Sequence, residues 1–166
     1  TGGNDSIYGF DGNDVIHGLA GSDTLYGWAG DDQLFGDGGI DMLNGGDGND
    51  TLSGGLNDGG NSSSKDALYG GLGNDTYLYG LGSGFETIQE AQTDVAENID
   101  TVRFGAGVNP GSVVLNRDAG DSKTLEIKIS GSNPLSSDFL YIQNFFSTQD
   151  SQWKVEQFVF EDGTIW

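Results

Sequence analysis

The sequence predicts an all-β chain: a right-handed parallel β-roll (a β-helix solenoid) closed by a β-rich C-terminal cap. Three observations predict it. Asp5, Asp14, Asp23, Asp32, Asp41 and Asp50 recur every nine residues, a spacing found in solenoid repeats. Two residues after each Asp stands an aliphatic side chain: Ile7, Ile16, Leu25, Leu34, Leu43 and Leu52. Two residues before each Asp stands a glycine: Gly3, Gly12, Gly21, Gly30, Gly39 and Gly48.

Each register has a physical part. Glycine accepts positive φ and close backbone approach, so a Gly-x-Gly stretch makes a tight turn with its carbonyls directed at one point. The segment after each Asp alternates outward, inward, outward, which sends the aliphatic side chain into a core. Two units make one coil, so each turn stacks on its second neighbour: Asp14 on Asp32, Asp5 on Asp23. One unit is interrupted by an Asn/Ser/Gly-rich stretch, Leu56 to Lys65, which reads as a surface loop inserted into the solenoid. The unit Gly70-Gly71-Leu72-Gly73-Asn74-Asp75 restores the pattern, and Gly82 to Ile88 forms a degenerate unit with Glu86 in the Asp position.

Composition narrows the function. Among 166 residues, 26 are Asp or Glu and 6 are Lys or Arg, for a formal net charge of -20, and no Lys or Arg precedes Lys65. Phosphate binding needs a basic patch, so nucleic acid and anionic membrane surfaces are disfavoured as partners. Hydrophobic residues make up 34% and aromatics 11%, more than a disordered acidic tail carries. Stacked strands sit about 4.8 Å apart. Two carboxylates at that spacing repel by roughly 3 kcal/mol at an effective dielectric near 20. That exceeds or matches the roughly 1.5–3 kcal/mol from burying one Leu or Ile. A cation must therefore bridge the turns, and calcium, which takes oxygen ligands, is the candidate. Its binding energy then becomes folding energy.

Gly9-Phe10-Asp11-Gly12-Asn13-Asp14-Val15-Ile16-His17 and Gly45-Gly46-Asp47-Gly48-Asn49-Asp50-Thr51-Leu52-Ser53 resemble the repeats-in-toxin (RTX) nonapeptide, Gly-Gly-x-Gly-x-Asp-x-aliphatic-x. The resemblance covers residues 1 to about 90 and implies several Ca2+ ions. In it, one turn gives the carbonyls of its second and fourth residues plus its Asp, and the stacked turn gives its first and third carbonyls plus its Asp. It implies sites of Phe10, Gly12 and Asp14 with Gly27, Ala29 and Asp32; of Trp28, Gly30 and Asp32 with Gly45, Asp47 and Asp50; and of Gly46, Gly48 and Asp50 with Gly70, Leu72 and Asp75. On the other side it implies Thr1, Gly3 and Asp5 with Gly18, Ala20 and Asp23; Leu19, Gly21 and Asp23 with Gly36, Gly38 and Asp41; and Asp37, Gly39 and Asp41 with Gly54, Leu56 and Asp66, with Asp58 as the alternative to Asp66. A Glu86 site would follow.

Other chemistries find little support. No stretch spells an EF-hand loop. Zinc wants His and Cys, and the chain has one His, His17, and no Cys. Gly80-Leu81-Gly82-Ser83-Gly84 lacks the helix and Lys of a phosphate loop and reads as a roll turn. Asn61-Ser62-Ser63 is a formal glycosylation sequon that reads as a chance match. No paired acids or nucleophile–His arrangement marks an enzyme site. The prolines follow Asn109 and Asn133, so the Asp-Pro cleavage of some RTX-related modules is not expected. Tyr8, Tyr26, Phe35 and Tyr69 end their units facing outward. They read as exterior packing between strands in preference to a strip for a glycan or protein. The Thr residues are too few for an ice-binding ladder.

Glycine becomes sparse after Gly84, which places the roll at 1–90 and the cap at 91–166. Strand-like runs in the cap are Thr101–Phe104, Ser112–Leu115, Leu125–Ile129, Phe139–Ile142 and Gln157–Phe160, with a turn at Asp162-Gly163. Asp100-Thr101-Val102-Arg103-Phe104-Gly105 and Val155 to Thr164 resemble the haemolysin-type calcium-binding related domain, and Asp100 continues the acidic series. There is no signal peptide or transmembrane run, and the chain starts in mid-pattern, as a piece of a larger parent chain would. The resemblance implies a secreted bacterial protein, extracellular or at the cell surface, exported by type I secretion machinery and folding on calcium, such as an adhesin. The alternatives are a glycan- or protein-binding module and an accessory module of a secreted enzyme.

Overall fold

A computed structural model describes residues 2–56, 65–90, 98–130, 138–146 and 155–166. Its strands are β1 (Ser6–Asp11), β2 (Val15–His17), β3 (Ala20–Gly21), β4 (Thr24–Ala29), β5 (Gln33–Phe35), β6 (Gly38–Gly39), β7 (Met42–Asp47), β8 (Thr51–Ser53), β9 (Asp66–Leu72), β10 (Thr76–Tyr79), β11 (Phe85–Gln89), β12 (Thr101–Phe104), β13 (Val113–Arg117), β14 (Leu125–Ile129), β15 (Phe139–Ile142) and β16 (Gln157–Val159). One 3-10 turn, Pro110–Ser112, precedes β13, and there is no α-helix among the described residues.

The strands form two main sheets, ordered β1-β4-β7-β9-β11-β15-β14-β13 and β16-β12-β10-β8-β5-β2, with β3 and β6 pairing separately. All pairs are parallel except β13–β14 and β14–β15. This is a parallel β-roll: successive units alternate between the sheets. Each sheet contributes one inward column to the core. One column runs Ile7, Leu25, Leu43, Leu68, Ile88, Ile142. The other runs Ile16, Leu34, Leu52, Tyr77, Val102, Phe158. Leu25, Leu34, Leu43, Leu52 and Leu68 are fully buried, each contributing roughly 1.5–3 kcal/mol.

The stacking interval is 18 residues through the first coils. It widens to 25 across the insertion, from Asp41 to Asp66 and from Asp50 to Asp75, and again from Asp75 to Asp100. The nine-residue period fails after Gly84, yet the stacking does not. β11 pairs in parallel with β15, and β12 with β16, so both sheets run on into the C-terminal part. The chain then closes its own edges. The β13–β14 hairpin covers β15. Beside β16, Phe158 and Trp166 exchange backbone hydrogen bonds of 3.1 and 3.0 Å around the Asp162-Gly163 turn, which blunts an open edge. Two expected strand limits differ: Ser112 ends the 3-10 turn, because Pro110 at its start offers no N–H for a ladder, and Phe160 lies past the end of β16, bonded across the turn to Thr164.

The turns demand positive φ at two positions. The fourth residue is glycine with positive φ at Gly12, Gly21, Gly30, Gly39, Gly48 and Gly73, as expected. The second is left-handed too, and four units place Phe10, Leu19, Trp28 and Asp37 there, with φ of 73°, 78°, 83° and 69°. Each costs on the order of 1–2 kcal/mol in strain, which later units avoid with Gly46, Gly55 and Gly71. Fourth-position glycines are also confined by stacking. A Cβ at Gly30 would run into the Gly12 carbonyl, whereas one at Gly12, the outermost turn of that row, would meet nothing within 4 Å. Gly30→Ala is therefore expected to cost about 2 kcal/mol or more, and Gly12→Ala only the left-handed strain of about 1 kcal/mol. Denaturant melts of the two variants compare them, and equal losses would show that stacking does not impose glycine here.

Candidate metal centres

Each repeat Asp starts or directly precedes a strand, so stacking of the strands lines the carboxylates into two rows. Within a row, one oxygen of every carboxylate past the first turn is occupied. Asp5 N–H donates to Asp23 Oδ1 (2.7 Å), Asp23 N–H to Asp41 Oδ1 (2.8 Å) and Asp41 N–H to Asp66 Oδ1 (2.9 Å). On the other side Asp14 N–H donates to Asp32, Asp32 to Asp50, Asp50 to Asp75 and Asp75 to Asp100, each at 2.8 Å. The second oxygen, Oδ2, of Asp14, Asp23, Asp32, Asp41 and Asp50 is buried with no hydrogen-bond partner. An anionic oxygen left so is costly unless something else meets it.

Those oxygens do not point at random. A Cβ built on Gly9 would lie 2.7 Å from Asp14 Oδ2 and 2.9 Å from the Gly27 carbonyl oxygen, and one on Gly18 would lie 2.6 Å from Asp23 Oδ2 and 2.8 Å from the Gly36 oxygen. The same meeting of carboxylate and carbonyl recurs at Gly27 with Asp32 and Gly45, at Gly36 with Asp41 and Gly54, and at Gly45 with Asp50 and Gly70. Carboxylate and carbonyl oxygens converge where no donor comes between them. Hard cations take such a donor set, and the residues fit calcium.

The remaining implied carbonyls lie in the same turns. Those of Gly12, Gly30 and Gly48 face the α-carbons of Gly30, Gly48 and Gly73 in the next turn, and those of Gly3 and Gly21 face Gly21 and Gly39. The Trp28, Gly46 and Asp37 oxygens face Gly46, Gly71 and Gly55. Ala29, Asp47 and Leu72 each accept one backbone N–H at 2.8 Å, from Gly12, Gly30 and Gly48, and Leu19 and Asp37 accept from Gly38 and Leu56 at 2.7 Å. A carbonyl has two lone pairs, so one stays available. Ala20 pairs with Gly38 in the β3–β6 ladder. Asp66 stacks beneath Asp41. Thr1 and Asp58, like the Asn61 sequon, lie outside the described residues.

The sequence offered Glu86 and Asp100 as continuations of the acidic series, and it did not offer Asp138 or Glu90. Glu86 is fully buried opposite Asp66 in the ladder. Asp100 is buried and donates its N–H to Glu156 Oε2 at 2.9 Å, so the row that begins at Asp14 reaches the C-terminal part. Asp138, also fully buried, accepts the N–H groups of Gly82 and Gly84 at 3.2 and 3.0 Å. Its signal was in the sequence, since Asp138-Phe139-Leu140 repeats the Asp-x-aliphatic pattern. Glu90 gave no signal. A separate outer ladder of Asn4, Asn13, Asp31, Asn49 and Asn74 caps the next turn's backbone at 2.7–3.0 Å, which is structural.

Charge gathers with the stacking. Burial pushes the Asp41 carboxyl up to about 7; the Asp23 N–H pulls it down, while Asp66, Asp23 and Asp37 push it further up. Burial likewise pushes Asp50 up to about 6, opposed by the Asp32 N–H and reinforced by Asp32, Asp31 and Asp47. Glu86 is pushed well up by burial and then by Asp66 and Asp138. On the exterior, Tyr8 stacks on Tyr26 at 5.2 Å and Phe35 on His17 at 4.7 Å, and His17 Nδ1 lies 2.9 Å from Asp37 Oδ2.

The family profiles agree with this geometry. The RTX calcium-binding nonapeptide repeat profile matches in four copies, over residues 1–25, 8–43, 32–59 and 62–86. The haemolysin-type calcium binding protein related domain matches residues 125–166. No curated protein matches the chain. A solved structure, the solution structure of the AlgE6R3 subunit from the Azotobacter vinelandii mannuronan C5-epimerase, is similar at 22% identity with a TM-score of 0.47, over 90% of this chain and 75% of that one. With its repeats, its paired rows of Asp and its parallel β-roll all in one register, the chain belongs to the RTX calcium-binding repeat family.

Proposed function

We propose that calcium ions lie between successive turns, held by the residues the resemblance implies, and that the chain folds on binding them after secretion. The observation that carries the reading is the row of buried Asp Oδ2 atoms, each without a hydrogen bond and each facing the carbonyl of the stacked turn. In a low-calcium cytosol a chain of net charge -20 repels itself and stays unfolded, which suits type I export. Extracellular calcium modules typically bind at about 10⁻⁴–10⁻³ M, so folding follows exit. The module thereby serves export, folding and stability of a larger bacterial protein, such as an adhesin. We propose a division at residue 90, with the cap of 91–166 sharing both sheets of the roll.

A second reading, a glycan- or protein-binding face, is favoured by one observation. Tyr8, Tyr26 and Trp28 line a shallow groove of about 470 Å³ with Asn44 and Asp47.

Three outcomes are expected. In chelator near neutral pH, circular dichroism shows little β structure, which millimolar calcium restores cooperatively; unchanged spectra would overturn the reading. Asp32 belongs to two bridged turns and Asp14 to one. Asp32→Asn therefore loses two bound ions in equilibrium dialysis and Asp14→Asn one, whereas identical stoichiometries would count against bridging. The third outcome concerns pH. Folded Asp41 and Asp50 hold protons up to about 7 and 6, above the ordinary carboxylate range. The metal-free fold therefore binds more protons than the unfolded chain and gains stability as pH falls. That gain is complete below the ordinary value of 3.8 and is lost as pH rises through 6 to 7. In chelator, β structure should increase between pH 8 and 5, while calcium affinity weakens over the same window. Loss of β structure on acidification in chelator would contradict this.

A further inference from the structure

The outer face of the longer sheet changes character along its length. Tyr8, Tyr26, Asn44 and Tyr69 stand in register in one outward row. Beside it runs the row of second-position corners, Phe10, Trp28, Gly46 and Gly71, also in register. Both rows drop from a large ring to a small residue at the same step, from Tyr26 to Asn44 and from Trp28 to Gly46. A groove of about 470 Å³ follows this step, with Tyr8, Tyr26 and Trp28 on its aromatic side and Asn44, Gly46 and Asp47 on the other. That volume falls within the roughly 300–1,000 Å³ of small-ligand sites. Tyr8 and Tyr26 are parallel, 5.2 Å apart at 4°. One face of Tyr26 therefore rests on Tyr8, and the other is turned along the row to Asn44, where a carboxamide stands in place of a third ring.

The groove is chemically mixed. Trp28 and Tyr8 are 54% and 48% exposed, so their rings are open to a ligand. Trp28 also holds a φ of 83°, a strained backbone for a side chain that packs no core. Residues held in such conformations concentrate at ligand sites, and Gly46 and Gly71 show that glycine serves this corner equally well. Among the polar groups, the Asn44 carboxamide donates and accepts hydrogen bonds, while the Asp47 carboxylate only accepts. No Lys or Arg lines the groove, and none occurs before Lys65. Nothing there pairs with a carboxylate or a sulfate, and Asp47 repels both. Ring faces beside a hydrogen-bonding edge suit a ligand that is apolar on its faces and hydroxylated at its rim. A pyranose has that form, with C–H bonds over its faces and hydroxyls around its edge.

We propose that this groove binds pyranose units of an uncharged oligosaccharide, with Tyr26 and Trp28 against the C–H face of the sugar and Asn44 and Asp47 on its hydroxyls. The proposal rests on the second reading above, that the aromatic face binds a ligand, and narrows it to neutral sugars. Like charge at Asp47 selects against uronates and sulfated sugars. A sugar is favoured over a protein because a stable protein interface buries about 800 Å² per partner, and a ring set upright in its row offers its face to a ligand that enters the row, which a flat protein surface does not. Trp28 and Asp47 lie in turns that share one implied calcium site, so the sugar binds the calcium-loaded fold and not the chain in chelator.

The next strand supplies the variants. Trp28→Gly and Tyr26→Asn each give β4 the residue that β7 already carries at the same register, Gly46 and Asn44, so both keep the local backbone, and Trp28→Gly also removes the left-handed strain. The full chain in millimolar calcium is titrated with cellohexaose, mannohexaose and galactohexaose, and with hexamannuronate and hexagalacturonate as acidic counterparts, followed by tryptophan fluorescence and isothermal titration. At least one neutral hexaose should bind about tenfold or more tightly than either uronate. Each variant should weaken that binding about tenfold or more and leave the calcium-saturated circular dichroism unchanged; should one variant not fold, the other carries the comparison. Neutral binding that survives both variants would put the sugar elsewhere and overturn the proposal. Uronates that bind as tightly as the neutral sugars, with both lost in Trp28→Gly, would end the neutral-sugar assignment and leave the aromatic face as a ligand site. If no sugar binds, the proposal falls, and phage-displayed peptides selected on the parent chain and counter-selected on Trp28→Gly judge the reading beneath it. Peptides that require Trp28 would keep the face as a protein site, and their absence would end both readings.

Discussion

The structure depends on negative charge being brought into columns. A parallel β-roll must place like on like, because its strands stack in register, and an Asp in every unit then becomes a row of Asp. Past the first turn of each row, one oxygen of each carboxylate is satisfied by the neighbouring backbone N–H, which fixes the side chain's orientation. The other is turned inward to a carbonyl oxygen of the next turn. Hydrophobic burial alone does not outweigh that arrangement, since one Leu per unit contributes about as much as one carboxylate pair opposes. A cation between the oxygens would reverse the sign of the electrostatic contribution, which is the physical basis of the proposed coupling between calcium binding and folding.

Glycine serves this charge geometry at distinct positions. The first glycine of each unit leaves the space where carboxylate and carbonyl meet. The fourth lets one turn lie directly on the carbonyl of another. The second position needs a left-handed backbone, which Phe10, Leu19, Trp28 and Asp37 adopt at a cost in strain, and where it is glycine, as at Gly46, Gly55 and Gly71, a Cβ would also meet the carbonyl of the stacked turn. These side chains sit at the turn corners because the turn's backbone geometry requires a left-handed residue there.

The C-terminal part is less a lid than a continuation. It supplies β15 and β16 to the ends of the two sheets and then turns antiparallel, or back on itself, to end them. The acidic series continues with it through Asp100 and Glu156 on one side and Glu86 on the other. Near the end of the repeats, buried tyrosines, Tyr77 and Tyr79, stand in the core.

The sequence by itself determined the repeat, the inward Leu and Ile columns, the turn glycines and the pairing of Asp14 with Asp32 and Asp5 with Asp23. All of these follow from a period of nine, because local geometry repeats whenever the residues do. Tertiary structure alone decided what joins the rows once the period fails. Glu90 and Asp138 come beside residues far away in sequence, Asp138 lying 54 positions from Gly84. Their places are fixed by strand register across loops of unequal length, and loop length does not reveal register. The left-handed strain at Phe10 and Leu19 was equally invisible, because a side chain tolerated in a strained turn leaves no compositional mark.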